Sequence, residues 1–295
     1  MSPEIVWDRG ATDFDLSGGI RVNHDIVYIP TLGRPENLRK VIPIWLEQEF
    51  TIRLVVERRE YQQHMKLRKQ EGWGTEVYVL PLPIAGRGIG YARNYIVKHA
   101  KNTALKSIII SDDDMYAYGD AYKLIDEAAK PGVLGIGSTR SIHDRFTGGA
   151  VSKNTGVILC PGGWGFQLFG LNVDTAIECG NFNTSLNVLG EDAELARHGI
   201  ARGIPWRVHC DVKSVSIGKR YSPGGMNALY PILENRVKAE RRCMEIIHMR
   251  WPEYTNAPDK KLRVAWQKML DRYIPNWREA SAIHGGSLDR LYMEE

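Results

Sequence analysis

Three consecutive aspartates, Asp112, Asp113 and Asp114, interrupt the run "SIIISDDDMYAYGD" at residues 107–120. Adjacent carboxylates repel one another and are costly to bury unpaired, so a cation must answer them if they are held together. On a strand, residues two apart share a face, which puts Asp112 and Asp114 on one side and turns Asp113 elsewhere. Hard oxygen donors of this kind suit Mg2+ or Mn2+, which keep coordination positions open for substrate phosphates. A solvated strand end or a helix cap would use the same residues, so the triplet alone leaves the choice open.

Other segments carry chemistry of their own. In "GRGIGYARN" (86–94), glycines allow a close backbone approach and the following helix offers unpaired N–H groups, as a phosphate loop requires. The spacing falls short of the full dinucleotide fingerprint. Arg93, in the first turns of that helix, would suit a bidentate phosphate contact, or would simply be a surface residue beside a glycine turn. In "GEDAEL", Glu191 and Asp192 open a helix, where acids are favoured by the dipole whether or not they catalyse. The loop "GKRYSPGGMN" offers Lys219 and Arg220 beside two glycines, which reads equally as a mobile lid or as a basic turn. Lys238, Arg241 and Arg242 fall at i, i+3 and i+4 of a later helix, and Trp251, Trp266 and Trp277 lie beyond. A nucleic-acid track could be built that way, although such a face is more often solvated and such tryptophans core.

The elements that must position these groups follow from hydrophobic period. "HDIVYIP" reads as a buried strand, Gly33 as a turn, and Pro35 as an early position of a helix whose Leu38, Val41, Ile42, Trp45 and Leu46 share a face. "TIRLVVE", "YQQHMKLRKQEG", "TEVYVLPL", "GRGIGYARNYIVKHAKN" and "SIIIS" continue as strand, helix, strand, helix, strand. Such alternation implies a doubly wound sheet with ligands beyond the carboxyl ends of the strands, where the aspartates fall. "VLGIGSTRS", "TGVILCPGGWGFQLFGLNV" and "PWRVHCDVKSVSIG" supply later strands, and "MYAYGD" reads as loose chain. The expected division is an N-terminal arm (1–24), an α/β domain with a mixed, mostly parallel sheet flanked by helices (25–217), and a helical extension packed on it (218–295).

The 295 residues, 43% hydrophobic and 25% charged, suffice for one large domain or two small ones. The net charge of +4 arises wholly after residue 217: the first part holds 25 Lys+Arg against 25 Asp+Glu, the last 14 against 10. That permits an anionic partner without requiring one. Cys160, Cys179, Cys210 and Cys243 are too dispersed for a zinc site or disulfide framework and read as reduced, buried thiols. With neither a membrane-length apolar run nor a basic-then-apolar start, the chain is expected in the cytoplasm.

In order, "VYIPTLGRPENL", "VVE", "GIGYARN", "IIISDDD", "GGWGF" and "LGEDAELARHGI" resemble the nucleotide-sugar glycosyltransferases of the GT-A fold over about Asp25 to Ile217. "VVERREY", "LPLPIAGRGIGYARN" and "IISDDDM" look most like the phage-type glycosyltransferases associated with TET/JBP dioxygenases, a group thought to modify hydroxymethylpyrimidines in DNA. The resemblance implies a nucleoside-diphosphate sugar donor, a UDP-sugar above others, Mn2+ or Mg2+, and a DNA acceptor. It places Pro30, Thr31, Arg34, Glu57, Gly88, Arg93, Asp112, Asp113 and Lys219 around the donor. Asp114, with Asp112, would hold the metal. Asp192 would be the base of an inverting displacement, with Glu191 beside it. Gly163 and Trp164 would wall the acceptor side. The family's third metal ligand is a histidine for which His209 is the nearest candidate, although it comes early in its strand and a core histidine would look the same. The same chemistry could serve a saccharide, lipid-linked or small-molecule acceptor. A nucleotidyltransferase, or a nucleotide- or DNA-binding module without turnover, would use much of the same pattern.

Overall fold

Alternation of buried strands and one-sided helices builds the first half of the molecule. A computed structural model describes residues 25–140, 155–159, 167–204, 206–217, 225–251 and Gln267. Strand β1 (Ile26–Thr31) is buried throughout, and helix α1 (Pro35–Glu47) starts after Gly33, whose φ of +64° makes the turn. Leu38, Val41, Ile42 and Trp45 form its buried stripe, as the spacing predicts. β2 (Thr51–Val56), α2 (Tyr61–Gln70), β3 (Val77–Pro81), α3 (Gly88–Asn102) and β4 (Ser107–Ser111) follow.

The parallel pairs β1–β2, β2–β3 and β1–β4 set the strand order β3-β2-β1-β4. The chain therefore winds outward from β1 and then returns through α3 to its other side, so the order reverses between β1 and β4. Ligand crevices of open α/β sheets form at such a reversal. Pairing of β1 with β4 is confined to Val27–Ile109 and Tyr28–Ile110, which leaves the carboxyl ends unpaired with each other.

Beyond β4 the sheet becomes mixed. β5 (Met115–Tyr118), α4 (Tyr122–Ala128), β6 (Gly135–Arg140), β7 (Val157–Leu159), β8 (Leu168–Asn172), α5 (Val173–Glu178), α6 (Glu191–Ala201) and β9 (Arg207–Ser216) complete it. β8 runs antiparallel to β4, and β9 runs parallel to β6 but antiparallel to β5 and β7. The segment "MYAYGD" is thus not loose chain in its first half: Met115–Tyr118 pairs with Lys213–Ser216, a partner about a hundred residues away. Short α7 (Met226–Leu229) and long α8 (Leu233–Arg250) follow.

Alternating side chains feed two cores. Tyr28, Ile108 and Ile110 pack with α3 and α6 through Ile96, Val97 and Leu195. Val27, Ile29 and Ile109 pack with α1 and α4 through Val41, Trp45 and Leu124. With both faces covered, β1 and β4 need the continuous apolar runs seen in the sequence. Cys179, Cys210 and Cys243 are free and buried. No helix among the described residues is long and apolar enough to cross a membrane. The N-terminal arm, Cys160 and the chain beyond Trp251, Gln267 apart, lie outside the described residues, and with them Trp266 and Trp277.

Candidate active site

The carboxyl ends of β1, β2 and β4 open onto a cavity of about 620 Å3. Its wall holds six carboxylates, Glu57, Asp112, Asp113, Asp114, Glu191 and Asp192, against three guanidiniums, Arg34, Arg93 and Arg236. The surplus of acid is the main electrostatic fact of the site.

β4 ends at Ser111, and the aspartates lie on a tight turn in which the Met115 N–H donates to the Asp112 carbonyl at 3.1 Å. Strand alternation therefore does not apply to them, and all three line the cavity. Asp113 does not turn away from its neighbours but shares the cavity wall with them as a hydrogen-bonded residue. It is 4% exposed, accepts from Thr31 Oγ1 at 2.8 Å and from Arg34 Nη1 at 3.0 Å, and thereby ties β4 to the β1–α1 turn. Burial pushes its carboxyl up to about 6, against the lowering pull of Arg34 and Thr31. Asp114 lies 3.8 Å from the same Arg34 nitrogen.

Arg93 is no surface residue. It is 3% exposed, and its guanidinium stands 5.3 Å above the Phe169 ring. Nη1 donates to Glu191 Oε1 at 2.6 Å and lies 3.4 Å from Asp192 Oδ2, while Nη2 donates to Asp112 Oδ1 at 2.9 Å. The fork expected to grip phosphate is thus spent on carboxylates. Burial works against its charge, but Glu191, Asp112 and Asp192 outweigh that and hold Arg93 protonated beyond its ordinary value. Burial raises both Asp112 and Glu191, with Arg93 pulling each back. Glu191 and Asp192 differ in access. The Glu191 side chain is 4% exposed and fixed by its short bond to Arg93, whereas that of Asp192 is 19% exposed and its Oδ1 accepts the Ala193 N–H at 2.7 Å.

The loop before α3 is set by backbone proximity. Both Glu57 oxygens accept the Gly86 N–H, at 2.9 and 3.0 Å, so this buried acid holds the glycine loop against β2. Gly88 has a φ of +76°, and a Cβ there would overlap the Asn187 carbonyl, which also accepts the Ile89 N–H at 3.1 Å. Asn187 reaches the other way as well: its Nδ2 donates to Tyr230 Oη at 2.8 Å. One residue thus joins α3, the strand of chain leading to Glu191, and the approach to α8. α8 adds Ile247, packed against the left-handed Gly190, and Arg250, which donates to Glu194 at 2.5 Å.

Pro30, Thr31, Arg34, Glu57, Gly88, Arg93, Asp112, Asp113, Asp114, Glu191 and Asp192 all line this one cavity. Lys219, Gly163 and Trp164 lie outside the described residues. His209 is not brought to the carboxylates. Ser216 of β9 lines the cavity, and His209 lies seven residues back along that strand, about 23 Å at ~3.3 Å per residue. Its Nδ1 faces Asp211 at 3.9 Å instead. Sequence reasoning passed over Arg236 and Gln167, which also line the cavity, as does Gly225 of the "GKRYSPGGMN" loop. Arg236 had a local signal, since its Nε donates to Glu240 one turn on at 2.9 Å, but that pair alone does not say which way the helix faces. Among the described residues no three His, Cys, Asp or Glu side chains form a ready cage for a metal.

The family model described as TET-Associated Glycosyltransferase matches residues 26–130. Those residues are similar to the TET-associated glycosyltransferases, and the protein is a glycosyltransferase. No curated protein matches the chain at significance. Among solved structures, a mannosyltransferase from Pyrobaculum calidifontis in complex with GDP-Man and Mn2+ is 15% identical, with 92% of this chain and 88% of that chain covered and a TM-score of 0.47. A mannose-1-phosphate geranyltransferase from Thermus thermophilus is 14% identical, with 65% and 75% covered and a TM-score of 0.39. The matched glycosyltransferase region carries both β1-side residues and the three aspartates, while Glu191 and Asp192 lie after it.

Proposed function

We propose that this glycosyltransferase moves a sugar from a nucleoside-diphosphate donor to the hydroxyl of a 5-hydroxymethylpyrimidine in DNA, by one inverting displacement with Asp192 as base. The observation that carries the reading is the single cavity in which an acid-rich turn at the β1/β4 reversal faces an accessible Asp192. The family match supports sugar transfer, and the association in that family's name supports the DNA acceptor.

Mn2+ or Mg2+ fits the residues present. Six acids against three guanidiniums leave negative charge to be answered, and Asp114 has the Arg34 guanidinium at 3.8 Å, too long for a hydrogen bond. Asp112 and Asp114 would hold the ion, since such ions take one or two carboxylates and complete their shell with water and substrate phosphate. When bound, the cation neutralises charge that gathers on the departing nucleoside diphosphate.

The chain's own residues do the rest. Thr31 and Arg34 fix Asp113 and so the aspartate turn, and Glu57 fixes the loop that leads into α3. Arg93 orients Asp112 and Glu191 from beneath and keeps Asp192 within 3.4 Å. Asp192 Oδ1 is held by the Ala193 N–H, which leaves Oδ2, the oxygen nearer Arg93, to take the proton of the attacking hydroxyl as the new glycosidic bond forms and the diphosphate departs. The test is incubation with Mn2+, a panel of nucleotide sugars and DNA containing 5-hydroxymethylpyrimidine, followed by nucleoside mass analysis. A glycosylated nucleoside with wild type and none with Asp114→Ala is expected. Absence of nucleoside diphosphate release with every donor would sink the reading.

A further inference from the structure

At the cavity mouth, two segments distant in sequence are pinned side by side. Glu57 closes β2 and grips the Gly86 N–H through both oxygens. The residues that follow each anchor, Arg58 and Arg59 on one side and Arg87 on the other, are therefore neighbours on the rim. All three are exposed, and among the described residues none makes an ion pair or side-chain hydrogen bond. The nearby acids do not cancel them directly: Glu57 serves Gly86, and Glu60 accepts the Gly33 N–H at 3.2 Å.

The basic face expected on α8 is different. Lys238 pairs with Glu234 at 3.0 Å, Arg242 lies 3.7 Å from Glu245, and Arg250 bonds Glu194. Lys238 and Arg242 are answered within their own helix and Arg250 from α6, which leaves Arg241 of that face, so the three rim arginines are the better candidate.

We propose that Arg58, Arg59 and Arg87 form a track for the phosphodiester backbone of a single nucleic-acid strand whose base enters the cavity. The proposal rests on the acceptor half of the reading above. Two physical arguments support that occupant. The cavity wall is acidic, and in the reading above its cation is taken up by the donor diphosphate, so a polyanionic acceptor keeps its backbone outside and sends in only a neutral base; a basic rim around an acidic interior sorts the two. The rim also adjoins the base-bearing segment, because Gly88, next to Arg87, abuts the carbonyl of Asn187, four residues before Glu191. Ile84, 53% exposed on the same loop, offers apolar surface to a sugar or base face beside the charges.

The experiment is fluorescence anisotropy with an unmodified single-stranded oligodeoxynucleotide across a salt series, comparing wild type with R58Q/R59Q/R87Q and R58E/R59E/R87E. Three phosphate contacts contribute about 0.7 each to the slope of log affinity against log salt. The glutamine variant should therefore have a slope shallower by about 2, so that wild type loses roughly 20-fold more affinity between about 50 and 200 mM salt. The charge-reversed variant should bind more weakly still. Both variants should melt as wild type does and retain sugar transfer to a free hydroxymethyl nucleoside. Equal slopes for wild type and the glutamine variant overturn the track, as does a wild type that binds no oligonucleotide. Nucleoside diphosphate release separates the two ideas. Release without oligonucleotide binding removes the track and keeps the glycosyltransferase chemistry, whereas a changed slope without release keeps the track and removes that chemistry.

Discussion

Replacing Arg93 by methionine would strand the acids it holds. The guanidinium is 3% exposed and the Glu191 side chain 4%, so neither water nor another described cation replaces the 2.6 Å contact between them. Loss of one partner of a buried pair costs about 3–5 kcal/mol, because the survivor is an uncompensated buried charge. At roughly 2–4 °C per kcal/mol for a domain of this size, R93M should melt about 10 °C below wild type. R93K should fall between, since an ammonium keeps the charge but cannot fork to Glu191 and Asp112 together. Adding E191Q to R93M removes the stranded charge and should recover a large part of the loss, although E191Q alone destabilises; that sign reversal is the mark of direct coupling. The pH dependence has a definite sign. Without Arg93 the folded-state carboxyls of Glu191 and Asp112 rise further above their unfolded values, so the variant gains on wild type as pH falls and loses on it as pH rises. Thermal melts of the five proteins across pH 5–8 measure all of this. If R93M melts within about 2 °C of wild type, or if E191Q and R93M are simply additive, the guanidinium does not carry the buried charge network.

D192N should lower turnover by about 10^2–10^4 while leaving donor binding by calorimetry unchanged, and a variant retaining a tenth of wild-type turnover would remove Asp192 as base. G88A should cost at least about 2 kcal/mol in denaturant melts, because its left-handed backbone strain of about 1–2 kcal/mol adds to overlap with the Asn187 carbonyl, whereas G72A, also left-handed but with open space, should show the strain alone. His99 offers a pH test away from the cavity: its Nδ1 accepts from Arg53 at 3.2 Å and faces Tyr28 Oη at 3.0 Å, and burial, aided by Arg53, lowers the ring to about 4. The unfolded ring titrates near 6.5, so its contribution is complete above that pH and is lost as pH falls from there toward 4. After allowance for the ring's partial exposure the loss is about 1–2 kcal/mol, and H99Q should flatten that part of the stability curve.

What the sequence made legible was whatever depends on neighbours along the chain. The stripe of Leu38, Val41, Ile42 and Trp45 and the buried runs of β1 and β4 report their period directly, and from them follow the winding and the end of the sheet where a site must lie. What stayed hidden depends on partners elsewhere. β5 gains its identity only by pairing with β9, and Arg93 is buried only because Glu191, 98 residues on, supplies its counter-charge. The aspartates show both at once. Their presence at a strand end was readable, but the geometry that holds them was not, because a turn rather than a strand carries all three into the cavity. Asp113 is claimed by Thr31 and Arg34 from β1, and Asp112 by Arg93 from α3. Asp114 alone is left without a short bond, with Arg34 no nearer than 3.8 Å. The carboxylate least satisfied by the protein is the one best able to accept an external cation, and the two others are held by the very arginines that fix its position.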